Sequence, residues 1–379
     1  MNMKKHLLIL SFTNARRDPR LYRQALSLRH EYRVTVAALA SPEIEGVDFI
    51  PIVHKPSRHV GEKLWRAGTL LCGFSGPFLN RFALQEPQKT ASSHFDLVLV
   101  NDLEPLPLGF ALARTSPVVF DAHEYYPDEY PDIFWKIFHK SHNTRLCKQY
   151  VPKLAGMTTV SPAMAKAYAD HFRVMPDVVY SGPGFQELPV QPLEKDRIRM
   201  IYHGLAGPER RLEDTIAMMD LLDQRFTLDL MLLGEEGYLR SLRHASAGHP
   251  RIQWREPVPM PDICARTNQY DIGVFLIPQN LFNLRITIPN KFFEYIQARL
   301  AVAAVPAEGI TGMVKEHELG VIADDFTPKA LAAKLSALTV EDIIRFKRGA
   351  DKAAAIYNAE ESMKVLKGVL ERALEKGKA

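Results

Sequence analysis

Cysteine is scarce: Cys72, Cys147 and Cys264 are the only three among 379 residues. Odd in number and widely spaced, they make neither a disulfide framework nor a zinc cluster, so a reducing, cytoplasmic setting and no bound metal are expected. Long apolar runs are also missing. Residues 7–12 follow Lys4 and Lys5 and imitate a signal peptide, but the run is too short, and Thr13-Asn14-Ala15-Arg16-Arg17 stands where a small-residue cleavage site belongs. Nothing approaches the ~18–20 apolar residues that cross a bilayer. Neither sign of charge dominates, with 48 basic against 44 acidic residues. RNP, zinc-finger and basic–aromatic arrays are absent, so nucleic acid is not an expected partner. Neither a Gly-x-Gly-x-x-Gly fingerprint nor a Walker sequence is present.

What remains is ordinary globular composition, 46% hydrophobic and 24% charged, which excludes collagenous, disordered and low-complexity classes. The length suits two domains. One local charge pattern stands out. Residues 54–81 hold Lys55, Arg58, Lys63, Arg66 and Arg81, with Lys89 and Arg114 just beyond, interleaved with Trp65, Leu70, Leu71, Phe74 and Phe78. Such a segment suits peripheral contact with an anionic membrane surface. A helix with its apolar side in the core and its charges in water accounts for the same pattern.

Short apolar runs alternate with helix-period segments along the whole chain. Residues 6–12, 33–39, 47–53, 96–100, 118–121 and 157–160 read as strands, nearly continuous in hydrophobicity as buried parallel strands are. A second series, at 198–202, 228–233, 271–277, 301–305 and 320–322, begins after a polar stretch at 186–196. Two βα series predict an α/β protein of two Rossmann-like, doubly wound parallel sheets facing across a cleft. The predicted domains are 1–184 and 185–355, with a helix at 356–379 that packs back on the first.

Three groups of residues carry candidate chemistry. In Ile288-Pro289-Asn290-Lys291-Phe292-Phe293-Glu294-Tyr295, proline fits the first helical position, so the free N–H groups and dipole of the helix start form an anion site to which Lys291 adds a charge. Glu294, one turn in and on the side of Asn290 and Lys291, can accept from a ribose diol. An ordinary surface pair between Lys291 and Glu294 is the alternative. In Tyr202-His203-Gly204-Leu205-Ala206-Gly207-Pro208-Glu209-Arg210-Arg211, Gly204 ends a strand in a turn that lets a ligand approach the backbone. Arg210 or Arg211 can clamp phosphate. A plain βα turn reads equally from the same residues. In the first half, Asp121-Ala122-His123-Glu124 ends a strand, Asn101-Asp102 ends another, and Asp18-Pro19-Arg20 follows the first. All three fall on the rim where α/β proteins place ligands. His123 there is an orienting donor or general base with Glu124 as its carboxylate partner, or else a structural residue bonded to the next loop.

Taken in order, these segments resemble the two-Rossmann (GT-B) glycosyltransferases, family 4 in particular, over roughly residues 5–360. Pro289-Asn290-Lys291-Phe292-Phe293-Glu294-Tyr295 resembles the family's donor motif. Gly204 with Arg210 resembles its glycine loop and diphosphate-binding cation, and Asp121-Ala122-His123-Glu124-Tyr125-Tyr126-Pro127 its Asp-x-His-Glu segment. The resemblance implies transfer of a glycosyl residue from a nucleoside diphosphate sugar, UDP- or GDP-linked, to the hydroxyl of a glycan or lipid-linked acceptor, with no cofactor and no obligatory metal. By position, Glu294 then binds the donor ribose, and Gly204, Arg210, Asn290 and Lys291 the diphosphate. His123 and Glu124 serve the reacting sugar, and Asp18, Arg20 and Asp102 the acceptor side. Two positions depart from the pattern: Ile286 replaces a glutamate eight residues before Glu294, and Leu205 replaces an arginine after Gly204. The expectation is a retaining bacterial enzyme of polysaccharide, lipopolysaccharide or other glycoconjugate assembly. A nucleotide-sugar epimerase of the same fold and a non-catalytic sugar-nucleotide-binding protein are the alternatives.

Overall fold

Apolar runs that pack on both faces need helices on both sides of a sheet, and the chain supplies them twice. The computed structural model describes residues 4–55, 81–85, 87, 90, 93–130 and 132–377. It divides into two units, Met1–Val179 with Met363–Ala379, and Tyr180–Ser362.

The first unit contains β1 (His6–Leu10), β2 (Arg33–Ala38), β3 (Val47–His54), β4 (Phe82–Leu84), β5 (Leu97–Asn101), β6 (Val118–Ala122), β7 (Gly156–Thr159) and β8 (Asp177–Val178). Their order in the sheet is β4-β3-β2-β1-β5-β6-β7-β8. All pairs are parallel except β3 with β4. The core joins Leu7, Ile9, Val34, Val36, Leu97 and Leu99 to Leu366, Val369, Leu370 and Ala373. The last four lie on the helix Ala359–Lys376, which also makes surface ion pairs from Lys367 to Glu31 (2.6 Å) and Arg372 to Asp177 (2.8 Å).

The second unit contains β9 (Ile198–Ala206), β10 (Phe226–Gly234), β11 (Ile252–Trp254), β12 (Ile272–Phe275), β13 (Ala301–Ala304) and β14 (Gly320–Ile322). All are parallel, in the order β11-β10-β9-β12-β13-β14. In each sheet the strand order reverses once, between β1 and β5 and between β9 and β12, which is where open α/β sheets bind ligands. Helix Asn290–Gln297 lies close to β9 and β12, with Tyr295 Oη 3.3 Å from both Ile201 O and Val274 O. Gly273 permits this approach: a Cβ there would meet the Tyr295 ring at 2.3 Å.

Two parallel-sheet α/β units are therefore present, as the strand pattern predicts, with four local differences. Gly204 does not end its strand. β9 stays in register with β10 from Ile198 opposite Phe226 to Ala206 opposite Gly234, and Gly204 sits inside it at φ +108°. Helix Leu106–Ala113 has apolar residues all round, so no helical period betrays it. Short β4 adds an antiparallel edge. The expected boundaries at 184/185 and 355/356 both fall inside the second unit, where Tyr180 packs on Phe293 (5.4 Å) and Tyr357 (5.3 Å). Of the basic–aromatic stretch 54–81, residues 56–80 lie outside the described residues, as does Cys72. Cys147 and Cys264 are buried free thiols. Among the described residues, no helix is long and apolar enough to cross a membrane.

Candidate functional site

The second unit's candidate site forms at the start of helix Asn290–Gln297. Its N-cap, Pro289, gives the first turn no side-chain acceptor. Lys291 and Glu294 are both buried, at 6% and 9% exposure, so they are not a solvated surface pair. Lys291 Nζ has no hydrogen-bond partner and sits 3.6 Å from the ring centroid of Tyr202. It also lies over Gly204, where a Cβ would stand 3.6 Å from Lys291 Cε and 3.7 Å from Nζ. Burial, then the neighbouring Arg210, pushes the Lys291 ammonium pKa well down, and Glu294 opposes this without prevailing. Arg210 occupies a 3-10 turn, Pro208–Arg210. Its Nε is buried without a hydrogen-bond partner and lies 3.7 Å from Glu209 Oε1.

A buried amine without an acceptor is costly unless an anion completes it. Here the amine, a guanidinium and a helix start meet at the C-terminal end of the strand next to the switch point, a combination that suits a phosphate group. Asn290 is exposed at the first helical position, and Arg211 pairs with Asp214 at 3.1 Å. His203, beside Tyr202 on β9, turns its Nε2 to 3.5 Å from Glu294 Oε2.

In the first unit the polar residues converge on Asp121, which is fully buried at the end of β6. Arg20 donates to both its oxygens, at 2.7 and 2.5 Å. Gln24 adds a donor at 2.7 Å and Thr158 one at 2.6 Å. Burial pushes the Asp121 carboxyl up, but Arg20, His123 and Thr158 hold it far below the usual carboxylate range. His123 lies between two carboxylates, with Nδ1 3.2 Å from Asp102 Oδ1 and Nε2 3.4 Å from Asp121 Oδ2. Burial disfavours its charged form, yet Asp102 and Asp121 together outweigh burial and Arg20, and its pKa is raised. With a carboxylate at each nitrogen, the ring is set up to hold protons and donate rather than to abstract one.

Asp102 takes φ +70° at the end of β5 and accepts from Tyr126 Oη at 2.6 Å. Glu124 lines a cleft of about 440 Å³ together with Asp102, Tyr126, Glu129, Tyr130 and Trp135. Burial, then Glu124 and Asp102, pushes the Glu129 carboxyl up to about 8. Asp18 caps helix Pro19–Leu28 through the N–H groups of Arg20 and Leu21.

The structure thus gathers Gly204, Arg210, Lys291 and Glu294 at one place in the second unit. It gathers Arg20, Asp102, Asp121 and His123 at another in the first. Arg20 is enclosed by Asp121 and Asp18 by a helix end, so both hold the fold around His123. Tyr126, Tyr202 and His203 stand inside the segments singled out in the sequence with no role of their own, and Gln24 and Thr158 carry no sequence signal. Among the described residues, no three His, Cys, Asp or Glu side chains converge as metal ligands do.

No protein-family model matches the sequence, and no curated protein matches it. Solved structures do. A sucrose-phosphate synthase from Thermosynechococcus elongatus superimposes with a TM-score of 0.73 at 13% identity, over 98% of this chain and 100% of that one. Anabaena HepE in complex with UDP-glucose gives 0.66 at 14% identity, over 97% and 98%. WaaG, a glycosyltransferase involved in lipopolysaccharide biosynthesis, gives 0.63 at 11%, over 96% and 99%. The likeness is one of fold, the two-sheet α/β architecture of the GT-B glycosyltransferases.

Proposed function

We propose that the protein is a glycosyltransferase that moves a sugar from a nucleoside diphosphate sugar, UDP- or GDP-linked, to the hydroxyl of a glycan or lipid-linked acceptor. The single observation that carries this is the buried, unpartnered Lys291 Nζ at a helix start, with Arg210 beside it and Glu294 one turn further in. A nucleoside diphosphate is the ligand class that answers all three, with phosphates for the cations and helix end and a ribose diol for the carboxylate. Positive charge held there stabilises the departing diphosphate as its charge grows, which is the main electrostatic task of such a transfer. The fold likeness to HepE, whose structure holds UDP-glucose, supports the same ligand class. The finer proposal is a retaining, metal-independent bacterial enzyme of polysaccharide or glycoconjugate assembly. In the first unit, His123 serves the transferred sugar as a donor, and the aromatic and carboxyl groups of the neighbouring cleft receive the acceptor.

Screening UDP, GDP and ADP by thermal shift tests the donor site, since a tight ligand raises the melting temperature by mass action. Glu294→Ala is expected to keep the fold and to cost roughly 1.5–3 kcal/mol of nucleotide binding, the worth of a hydrogen bond to a charged acceptor. Unchanged affinity in calorimetry removes Glu294 from the site. His123→Ala is expected to bind nucleotide normally and to lose transfer, and full turnover in that variant makes the histidine structural. Conversion of a sugar nucleotide with no acceptor present points to an epimerase instead.

A further inference from the structure

Helix Asn290–Gln297 carries the donor-facing side chains, but it does not hold them alone. Consecutive residues of β9 stand behind two of them, Tyr202 against Lys291 and His203 against Glu294. His203 is 2% exposed, and its Nε2 is buried without a hydrogen-bond partner. Its ring meets Tyr295 edge-on, with centroids 5.1 Å apart and planes at 89°. Tyr295 is itself held against β9 and β12, and the ring packed on it places its Nε2 3.5 Å from Glu294 Oε2. A buried polar atom left a few tenths of an ångström short of a bond is an unexplained expense in a core. It is explained if the bond closes when ligand arrives, as hydrogen bonds at sites commonly tighten in the complex.

We infer that His203 is a positioning residue for the donor ribose. Its Nε2–H donates to Glu294 Oε2 and so orders the carboxylate that accepts from the ribose, which makes His203 a determinant of selectivity for ribonucleotides. Burial and then Lys291 lower the His203 pKa to about 3, so the ring is neutral at working pH. It can give Glu294 a proton-bearing nitrogen without neutralising the carboxylate. A charged imidazolium would compete with the ribose for Glu294, and a neutral one orders it. The inference rests on the proposed donor site, and the experiment separates the failure of one from the failure of the other.

The probes are the tightest binder among UDP, GDP and ADP and its 2′,3′-dideoxy counterpart, measured by calorimetry. The wild-type protein is expected to prefer the ribonucleotide by about 10- to 100-fold. His203→Leu is expected to lose most of that preference while its dideoxynucleotide affinity stays within about twofold, and His203→Gln, which keeps a donor of similar reach, retains much of it. Equal weakening of both ligands in His203→Leu makes the histidine structural and overturns the inference. An unchanged preference overturns it too, as does a wild-type protein that binds both ligands alike. Should the leucine variant not fold, His203→Gln and His203→Asn decide. Preference kept with the longer amide and lost with the shorter supports the inference, and equal behaviour refutes it. Binding of none of the three ribonucleotides by the wild type removes the donor site itself, and the role of His203 with it.

Discussion

Lys291→Met is expected to yield a protein that is more stable without ligand and that no longer holds a nucleoside diphosphate. The amine is enclosed, unpartnered and flat against the Tyr202 ring. Methionine fills similar space and packs well on an aromatic face. Removing a buried polar group that has no partner should raise stability by on the order of 1–3 kcal/mol. The same change removes the charge that a diphosphate would meet, with an expected loss of at least 10-fold in affinity. The sign of the pH effect follows from the lowered pKa. Between the folded value and the unfolded one near 10.4, the unfolded chain holds a proton at this lysine that the folded, ligand-free chain does not. The penalty of burying Lys291 is therefore present below that upper limit and fades as the pH rises toward it. A bound diphosphate favours the ammonium, so binding should take up protons at pH values above the folded, ligand-free pKa of Lys291. Calorimetry in two buffers of different ionisation enthalpy measures this. No uptake by the wild type, together with unchanged affinity in Lys291→Met, would exclude the lysine from anion binding.

Asp121→Ala should have the largest effect on the first unit. Arg20 is nearly enclosed, and both its bonds to Asp121 run through buried space, as do those from Gln24 and Thr158. Deleting the carboxylate strands a buried guanidinium, which costs about 3–5 kcal/mol, whereas replacing both partners with apolar residues of similar volume recovers most of the loss. Unfolding of Asp121→Ala beside Arg20→Met/Asp121→Leu, followed through Trp135, compares the two. A loss below about 1 kcal/mol would mean that the pair does not hold the rim. The folded-state pKa of Asp121 is depressed, so its contribution is complete above the ordinary aspartate value near 3.9 and disappears as the pH falls toward the folded value. His123 loses one of its two carboxylates in either variant. A transfer defect is therefore expected even where stability is recovered.

Periodicity made most of the architecture legible. The strands at residues 7–10, 97–100 and 301–304 are enclosed on both faces, so their apolar runs are continuous and only a parallel sheet with helices on both sides accommodates them. The helix that starts beyond Pro289 was legible for a different reason, since proline and a following cation are local signals. Gly204 was misplaced because a glycine after a strand usually marks its end, and only pairing with β10 reveals that the strand continues. Pairing also explains Arg20. Its partner Asp121 is 101 positions away, and no local pattern encodes a contact at that separation. Asp18 shows the converse: Asp before Pro at a helix start is a local signal, and it caps the helix as that signal implies. His203 carries no assignable role in the sequence because a histidine in a strand looks the same whether it faces solvent, core or a carboxylate.

Leu366, Val369, Leu370 and Ala373 belong to the same hydrophobic core as Leu7, Val34 and Leu97. On a ribosome, the strands of residues 6–101 must therefore wait until residues 363–373 have been made before their apolar surface is sealed, whereas residues 180–362 can finish their own core sooner. The order of synthesis and the order of completion are reversed in this chain. Until then the apolar side chains of Leu7, Val34 and Leu97 lack the helix residues that complete their core.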